Sequence, residues 1–172
     1  MKVPLSIALL AGLAFAGCSR PEDSRVEMRD AVAGNHSIID FEDDDAQMNA
    51  AMEQARSTLN EFERRLSNPP ATQTEIGLKG RFQSGKIVEH MWVGDITLAG
   101  DGYHGRLKND PDHLPSLVYG QAVVVPRASV SDWFAVDAGK LVGGYTMRVI
   151  RSRLSPEDRI RFDAENAVHV TD

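Results

Sequence analysis

Cys18 is the only cysteine among 172 residues, so no disulfide forms within the chain. Aromatic residues are sparse at 6%, with two tryptophans, and no apolar run reaches the ~18 to 20 residues that cross a bilayer as a helix. Basic residues are outnumbered 19 to 25, for a formal charge of −6, which removes the electrostatic footprint of a nucleic-acid binder. There is no Gly-x-Ser-x-Gly elbow, no glycine-rich phosphate cradle and no fixed-period repeat. What is present is 42% hydrophobic and 26% charged, an ordinary globular mix for one domain. A chain of this size buries roughly two-thirds of its unfolded surface and needs neither metal nor cross-link for stability. No cofactor is expected.

The N-terminus carries a specific signal. After Lys2, the stretch from Val3 to Ala16 is apolar apart from Ser6, a length that fits the hydrophobic region of a secretory signal. It ends in Leu13-Ala14-Phe15-Ala16-Gly17-Cys18, which resembles the lipobox of bacterial lipoproteins. That resemblance implies removal of residues 1–17, a diacylglycerol on the Cys18 thiol and an acylated new amino group, with fatty chains such as palmitate. Phe15 stands where the family usually has Leu, and ordinary cleavage after Ala16 or Gly17, or a buried helix, are the alternatives. Each buried methylene adds ~0.8 kcal/mol, so several acyl chains on one residue anchor firmly. Ser19 replaces the Asp that favours inner-membrane retention, so the expected place is the outer membrane, facing the periplasm.

Residues 18–44 read as the lipidated cysteine and a flexible tether, polar and mixed in charge, with the apolar island Ile38, Ile39 and Phe41 before the acidic run Glu42-Asp43-Asp44-Asp45. Acids ahead of a helix act as N-caps and dipole partners, and Asp44 followed by Gln47 has capping-box form. The spacing of Met48, Met52, Ala55, Leu59, Phe62 and Leu66 predicts one amphipathic helix, ended by Asn68-Pro69-Pro70, packed on a sheet.

Short strands come next. Ile76, Leu78 and Phe82 alternate with Gly77, Lys79 and Arg81; a turn at Ser84-Gly85 leads into Ile87 to Leu98, with Val88, Trp92, Ile96 and Leu98 on one face and Ile87, Met91 and Val93 on the other. Ala99-Gly100-Asp101-Gly102 turns into Tyr103 to Leu107, and a buried-looking strand Gln121 to Val125 ends at Pro126. Val130 to Val136 and Leu141 to Gly144 flank a bulged turn at Gly139, and Tyr145 to Leu154 reads as a short helix. Ser155-Pro156-Glu157-Asp158 starts another. The expected fold is α+β: five or so strands in a small, strongly bent antiparallel sheet or half-open barrel, with an N-terminal amphipathic helix and short C-terminal helices, in a domain at 45–165 with a tail at 166–172.

The elements and their residues resemble the YegJ-like bacterial domain of unknown function (domain of unknown function 2314). The match is carried by Ala55-Arg56 and Phe62, Lys79, Glu89-His90-Met91-Trp92-Val93, Gly105, Leu107-Lys108-Asn109, Gly120, Asp132-Trp133, and Gly143-Gly144 before Thr146 and Arg148, from Asp45 to Phe162. It implies a compact domain, often secreted or lipid-anchored, without an established catalytic activity.

Glu89, His90 and Asp132 are the weak catalytic candidates, since a carboxylate and an imidazole in one pocket shift each other's pKa and act as acid and base. Neighbours in a strand point to opposite faces, so Glu89 and His90 share a pocket only across a bulge. The plainer use is structural, Glu89 or Asp132 accepting backbone or indole N–H groups. Trp92, Trp133 and Asn109 are the candidates for ligand or partner contact, with core packing as the plainer use of the tryptophans. Asp101, His104, Asp110, Asp112 and His113 have metal-ligand residue types but match neither calcium nor zinc spacing, so no metal is expected. Arg148, Arg151, Arg153, Arg159 and Arg161 suit either an anionic partner or pairing with the chain's own acids. The leading expectation is a non-catalytic binding domain, held to the membrane by lipid on Cys18 and facing an envelope protein or other envelope component. A small envelope hydrolase or transferase using Glu89, His90 or Asp132, and a structural subunit of an envelope complex, are the alternatives. Oligomeric state is not encoded in any of these patterns.

Overall fold

The computed structural model describes residues 45–166. The signal and lipidation readings at 1–17 and Cys18, the tether, Asp44 and the tail from residue 167 lie outside the described residues. Among those described, no helix is long and apolar enough to cross a membrane.

Among the described residues four helices and six strands alternate in blocks: α1 (Ala46–Ser57), α2 (Leu59–Ser67), β1 (Gln73–Ser84), β2 (Ile87–Ala99), β3 (Gly102–Leu107), β4 (Ala122–Val125), β5 (Val130–Asp137), β6 (Lys140–Gly143), α3 (Tyr145–Arg153) and α4 (Pro156–Glu165). All strand pairs are antiparallel, in the order β4-β3-β2-β1-β5-β6, so the sheet is curved but not closed, with β4 and β6 at its edges. The α+β expectation holds, with six strands where five or so were expected.

The single helix expected before Pro69 is two. Asp45, not Asp44, is the N-cap of α1, its carboxylate accepting from the backbone N–H groups of Gln47 and Met48. The break falls at Thr58, whose hydroxyl lies within hydrogen-bond distance of the Gln54 and Ala55 carbonyls and accepts from the Trp133 indole N–H at 2.9 Å. Such back-bonding loosens a helix locally, and here it lets the two segments track the bent sheet. The apolar spacing runs on through the break, which is why periodicity alone did not reveal it.

Beneath these helices the main core gathers Ala55, Leu59, Phe62, Leu78, Met91, Val93, Tyr103, Leu107, Leu114 and Trp133. Ile96 belongs to the same cluster, on the side of Met91 and Val93 rather than of Trp92. The cause is an irregularity between Gly94 and Thr97, where Asp95 takes a φ of 53° and reverses the alternation. A second cluster joins Met48, Val136, Leu141, Met147, Ile150, Leu154 and Phe162, and ties α1 to α3 and α4.

Other turns differ in detail. The β1–β2 turn is Gly85-Lys86, since Ser84 and Ile87 are paired. Asp137 and Lys140 also pair, so Ala138 and Gly139, both at positive φ, form a two-residue hairpin turn without a bulge. The strand expected to be buried at Gln121 to Val125 is an edge strand in which only Val125 is buried. α4 starts as its sequence suggests, with Ser155 accepting from the Asp158 N–H and Pro156 in the first turn.

Candidate functional site

Three side chains line up across the middle of the sheet. Lys79 on β1 is opposite Trp92 on β2 and opposite Asp132 on β5, so all three project from one face. Trp133 and Glu89 alternate with Asp132 and His90 along their strands and therefore face the other way.

Asp132 is fully buried, and four donors converge on it. The N–H groups of Trp133 (2.8 Å) and Tyr145 (3.1 Å) reach one oxygen; the Thr146 N–H (2.8 Å) and hydroxyl (2.5 Å) reach the other. Tyr145 and Thr146 open α3, so the carboxyl caps that helix from a neighbouring strand. Gly143 and Gly144, with φ of 69° and 63°, make the turn that delivers the helix; a Cβ at Gly143 would lie 2.5 Å from the Trp133 carbonyl oxygen. Burial pushes the Asp132 carboxyl up from the usual range, against the Thr146 hydrogen bonds and the Lys79 charge, which pull it down.

Burial pushes the Lys79 amine down, against the pull of Asp132. Its Nζ sits over the Trp92 ring at 4.8 Å from the centroid, a cation–π contact. Trp92 is half-buried, its ring edge-on to Phe134 with centroids 5.1 Å apart.

Glu89 and Asn109 do related work at the far side of β2. The Glu89 carboxylate accepts from the N–H groups of Asp112 (2.7 Å) and His113 (3.2 Å), while Asn109 Oδ1 accepts from the Trp92 N–H at 2.8 Å. Together they fasten the loop after β3 and seat Leu114 in the core. His90 is exposed on the Asp132 face but pairs with Arg81, two positions along from Lys79. The structure therefore does not gather Glu89, His90 and Asp132 into one pocket. Nor does it gather the tryptophans: Trp133 lies in the main core against Phe62 and Tyr145, on the opposite face from Trp92.

His104 pairs with Asp101 at 2.7 Å, Asp110 accepts from the Tyr119 N–H, and no group of three metal-ligating side chains occurs among the described residues. Each of the five late arginines meets the chain itself. Arg151 holds Asp163, Arg153 holds Asp45, Arg161 holds Asp158, and Arg159 donates to the carbonyls of Arg151 and Ser152.

Arg148 is used differently, and it separates the two edges of the sheet. Its guanidinium donates to the carbonyls of Leu141 (2.8 Å) and Gly143 (3.1 Å), the groups that β6 turns away from β5. Among the described residues β4 has no such cover. Leu107 donates to the Gln121 carbonyl, and the alternation of the ladder then turns the N–H and C=O of Ala122 and Val124 outward, past the last described strand. Val124 is 42% exposed, and the turn that leads into the strand exposes Val118 (58%) and Tyr119 (60%).

Sequence reasoning passed over Lys79 as a site residue and took Arg148 only as a candidate for an anionic partner or for pairing with the chain's own acids. The alternation along β1 placed Lys79 on the polar side, but its pairing with Trp92 and Asp132 is a matter of register. Arg148 read as one of five arginines on a helix, and only the turn at Gly143-Gly144 aims it at β6.

A family profile described as an uncharacterized protein conserved in bacteria (DUF2314) matches residues 45–169. An ankyrin-repeat-named protein of Neisseria meningitidis serogroup B is 32% identical over 139 residues, 76% of this chain and 55% of that protein. The uncharacterized protein YegJ of Escherichia coli K12 is 27% identical over 100 residues, 58% of this chain and 64% of YegJ. The chain thus spans less than two-thirds of either relative's length. No solved structure matches it.

Proposed function

The chain belongs to this bacterial family, and on that footing we propose that it is a lipid-anchored envelope protein whose domain takes up an extended segment of another envelope protein along the edge of β4. The observation that carries this reading is the inequality of the edges. An uncovered strand end with outward N–H and C=O groups is a template for a further strand, and chains normally blunt such ends with charge, proline or a covering group. β6 is blunted by Arg148. β4 reads Ala-Val-Val-Val, without a charge, and is continuous with exposed Val118 and Tyr119. Strand addition draws affinity from main-chain hydrogen bonds and selectivity from alternate side chains.

Proline at position 124 tests the edge cleanly. The Val124 N–H points away from β3, so its loss removes no bond inside the sheet, and proline is tolerated on edge strands. Val124→Pro should keep the thermal melt of the parent and abolish capture of the partner. Capture undiminished by Val124→Pro counts against β4 as the binding edge.

Cys18 carries the proposed anchor. Cys18→Ala should release the protein from the membrane fraction and remove the lipid mass from the mature chain; membrane attachment unaltered by that change contradicts it. Placement at the outer membrane, facing the periplasm, rests on Ser19 next to the cysteine.

A further inference from the structure

Exposed turn lysines such as Lys86 and Lys140 make no hydrogen bond or ion pair with the described residues, and neither does the Nζ of Lys79, although Lys79 is half-buried on a strand in the middle of the sheet. Asp132 supplies a nearby opposite charge but no lone pair, because the Trp133, Tyr145 and Thr146 donors already occupy both of its oxygens. No fully enclosed polar side-chain atom among the described residues lacks a partner, so this nitrogen keeps contact with solvent. The result is an amine with unspent donors, at the foot of a half-buried tryptophan, in a place whose charge is balanced from below.

We propose that Lys79 is the capturing group of a binding site for small carbonyl compounds, above all aromatic aldehydes, which it holds as an imine beside Trp92. The neutral amine's lone pair forms a C–N bond to the carbonyl carbon. The carbonyl oxygen leaves as water with the two amine hydrogens, and no oxidant or reductant is consumed. Any proton on the starting ammonium goes to solvent; burial of Lys79, which disfavours that ammonium, eases the first step. A protonated imine keeps its positive charge where the ammonium had it, facing Trp92 and the Asp132 carboxylate. Trp92 and Phe134, edge-on to each other, form the apolar wall for the ring of the aldehyde. This site is on the middle of the sheet and is independent of the β4 edge.

The chain has four lysines in the described domain, Lys79, Lys86, Lys108 and Lys140, so the others serve as internal references. Full-length protein in detergent is exposed at neutral pH to limiting benzaldehyde with cyanoborohydride, which fixes imines as secondary amines, and benzylation is read by peptide mass spectrometry. Lys79 should be modified about tenfold faster than Lys86 and Lys140, the equivalent of about 1.4 kcal/mol in capture. The advantage should disappear in urea and fall to the reference rate in Trp92→Leu protein that melts as the parent does. Lys79 modified no faster than the turn lysines in native protein, or an advantage that persists in urea, overturns the proposal without recourse to any variant.

Discussion

β4 and β6 are edge strands of four residues each, Ala122–Val125 and Lys140–Gly143, and the described residues close only one of them. The difference does not lie in the strands. After β6 the chain turns through Gly143-Gly144 into α3, Asp132 grips the first N–H groups of that helix, and its first turn brings Arg148 back over the carbonyls β6 leaves outside. After β4 the chain passes through Pro126 and a single 3₁₀ turn at Arg127–Ser129 into β5 without folding back over the edge. An edge is thus sealed by the chain immediately C-terminal to it, and the deepest polar group in the molecule helps to hold the seal in place.

The largest effect should come from removing that group. Asp132→Ala leaves three backbone N–H groups and a hydroxyl without their acceptor in a buried site, at a cost of about 3 to 5 kcal/mol, measured by urea unfolding. Amides of β6 should exchange faster in the same variant while those of β3 stay as they were. Equal loss of protection at both places would mean that Asp132 holds the whole sheet rather than its β6 end.

Next comes the acid limb of stability. Asp45 has its carboxyl pulled down from 3.8 to about 2, first by the Arg153 hydrogen bonds, opposed by partial burial and reinforced by the backbone N–H of Met48. A group whose folded pKa lies below its unfolded one stabilises the fold above the unfolded value, and that contribution fades as pH falls from about 4 through about 2. The loss should be about 2 kcal/mol, and Asp45→Asn should flatten this part of the pH profile. A profile unchanged by Asp45→Asn would show that the contact with Arg153 does not hold α1 to the helix that seals β6.

Arg148→Ala should be milder, about 1 to 2 kcal/mol for the lost charged hydrogen bonds, but it exposes a second unpaired edge. Concentration-dependent association should then be seen by light scattering. An Arg148→Ala chain as monomeric as its parent would contradict the idea that this arginine blunts β6. The smallest effect on stability belongs to Val124→Pro, within about 0.5 kcal/mol, because the outward N–H contributes nothing inside the sheet.

Much of this architecture is legible in the sequence, for particular reasons. Period-two alternation located β1 and β2, and Ser155-Pro156 located α4, because each signal acts on its own backbone. The break at Thr58 escaped notice because the apolar spacing runs on through it, and the Trp133 indole that holds its hydroxyl comes from a strand 75 residues away. Ile96 changed face because one residue with positive φ undoes the alternation. β4 looked buried because three valines in a row read as core, and only the strand order shows that it has one described neighbour rather than two. The residue types worth watching in a polar site were visible, but register decided their company: it set Asp132 beside Lys79 and Trp92 and left Glu89 on the opposite face.

The most direct test of the unequal edges is photocrosslinking in cells that carry the full-length protein. A photoreactive residue at position 122, on β4, should give an adduct with the proposed partner protein that Val124→Pro abolishes, while the same residue at position 140, on β6, gives none. Adducts of equal yield at 122 and 140, an adduct at 122 that survives Val124→Pro, or an adduct at 122 containing only a second copy of this chain would contradict the account.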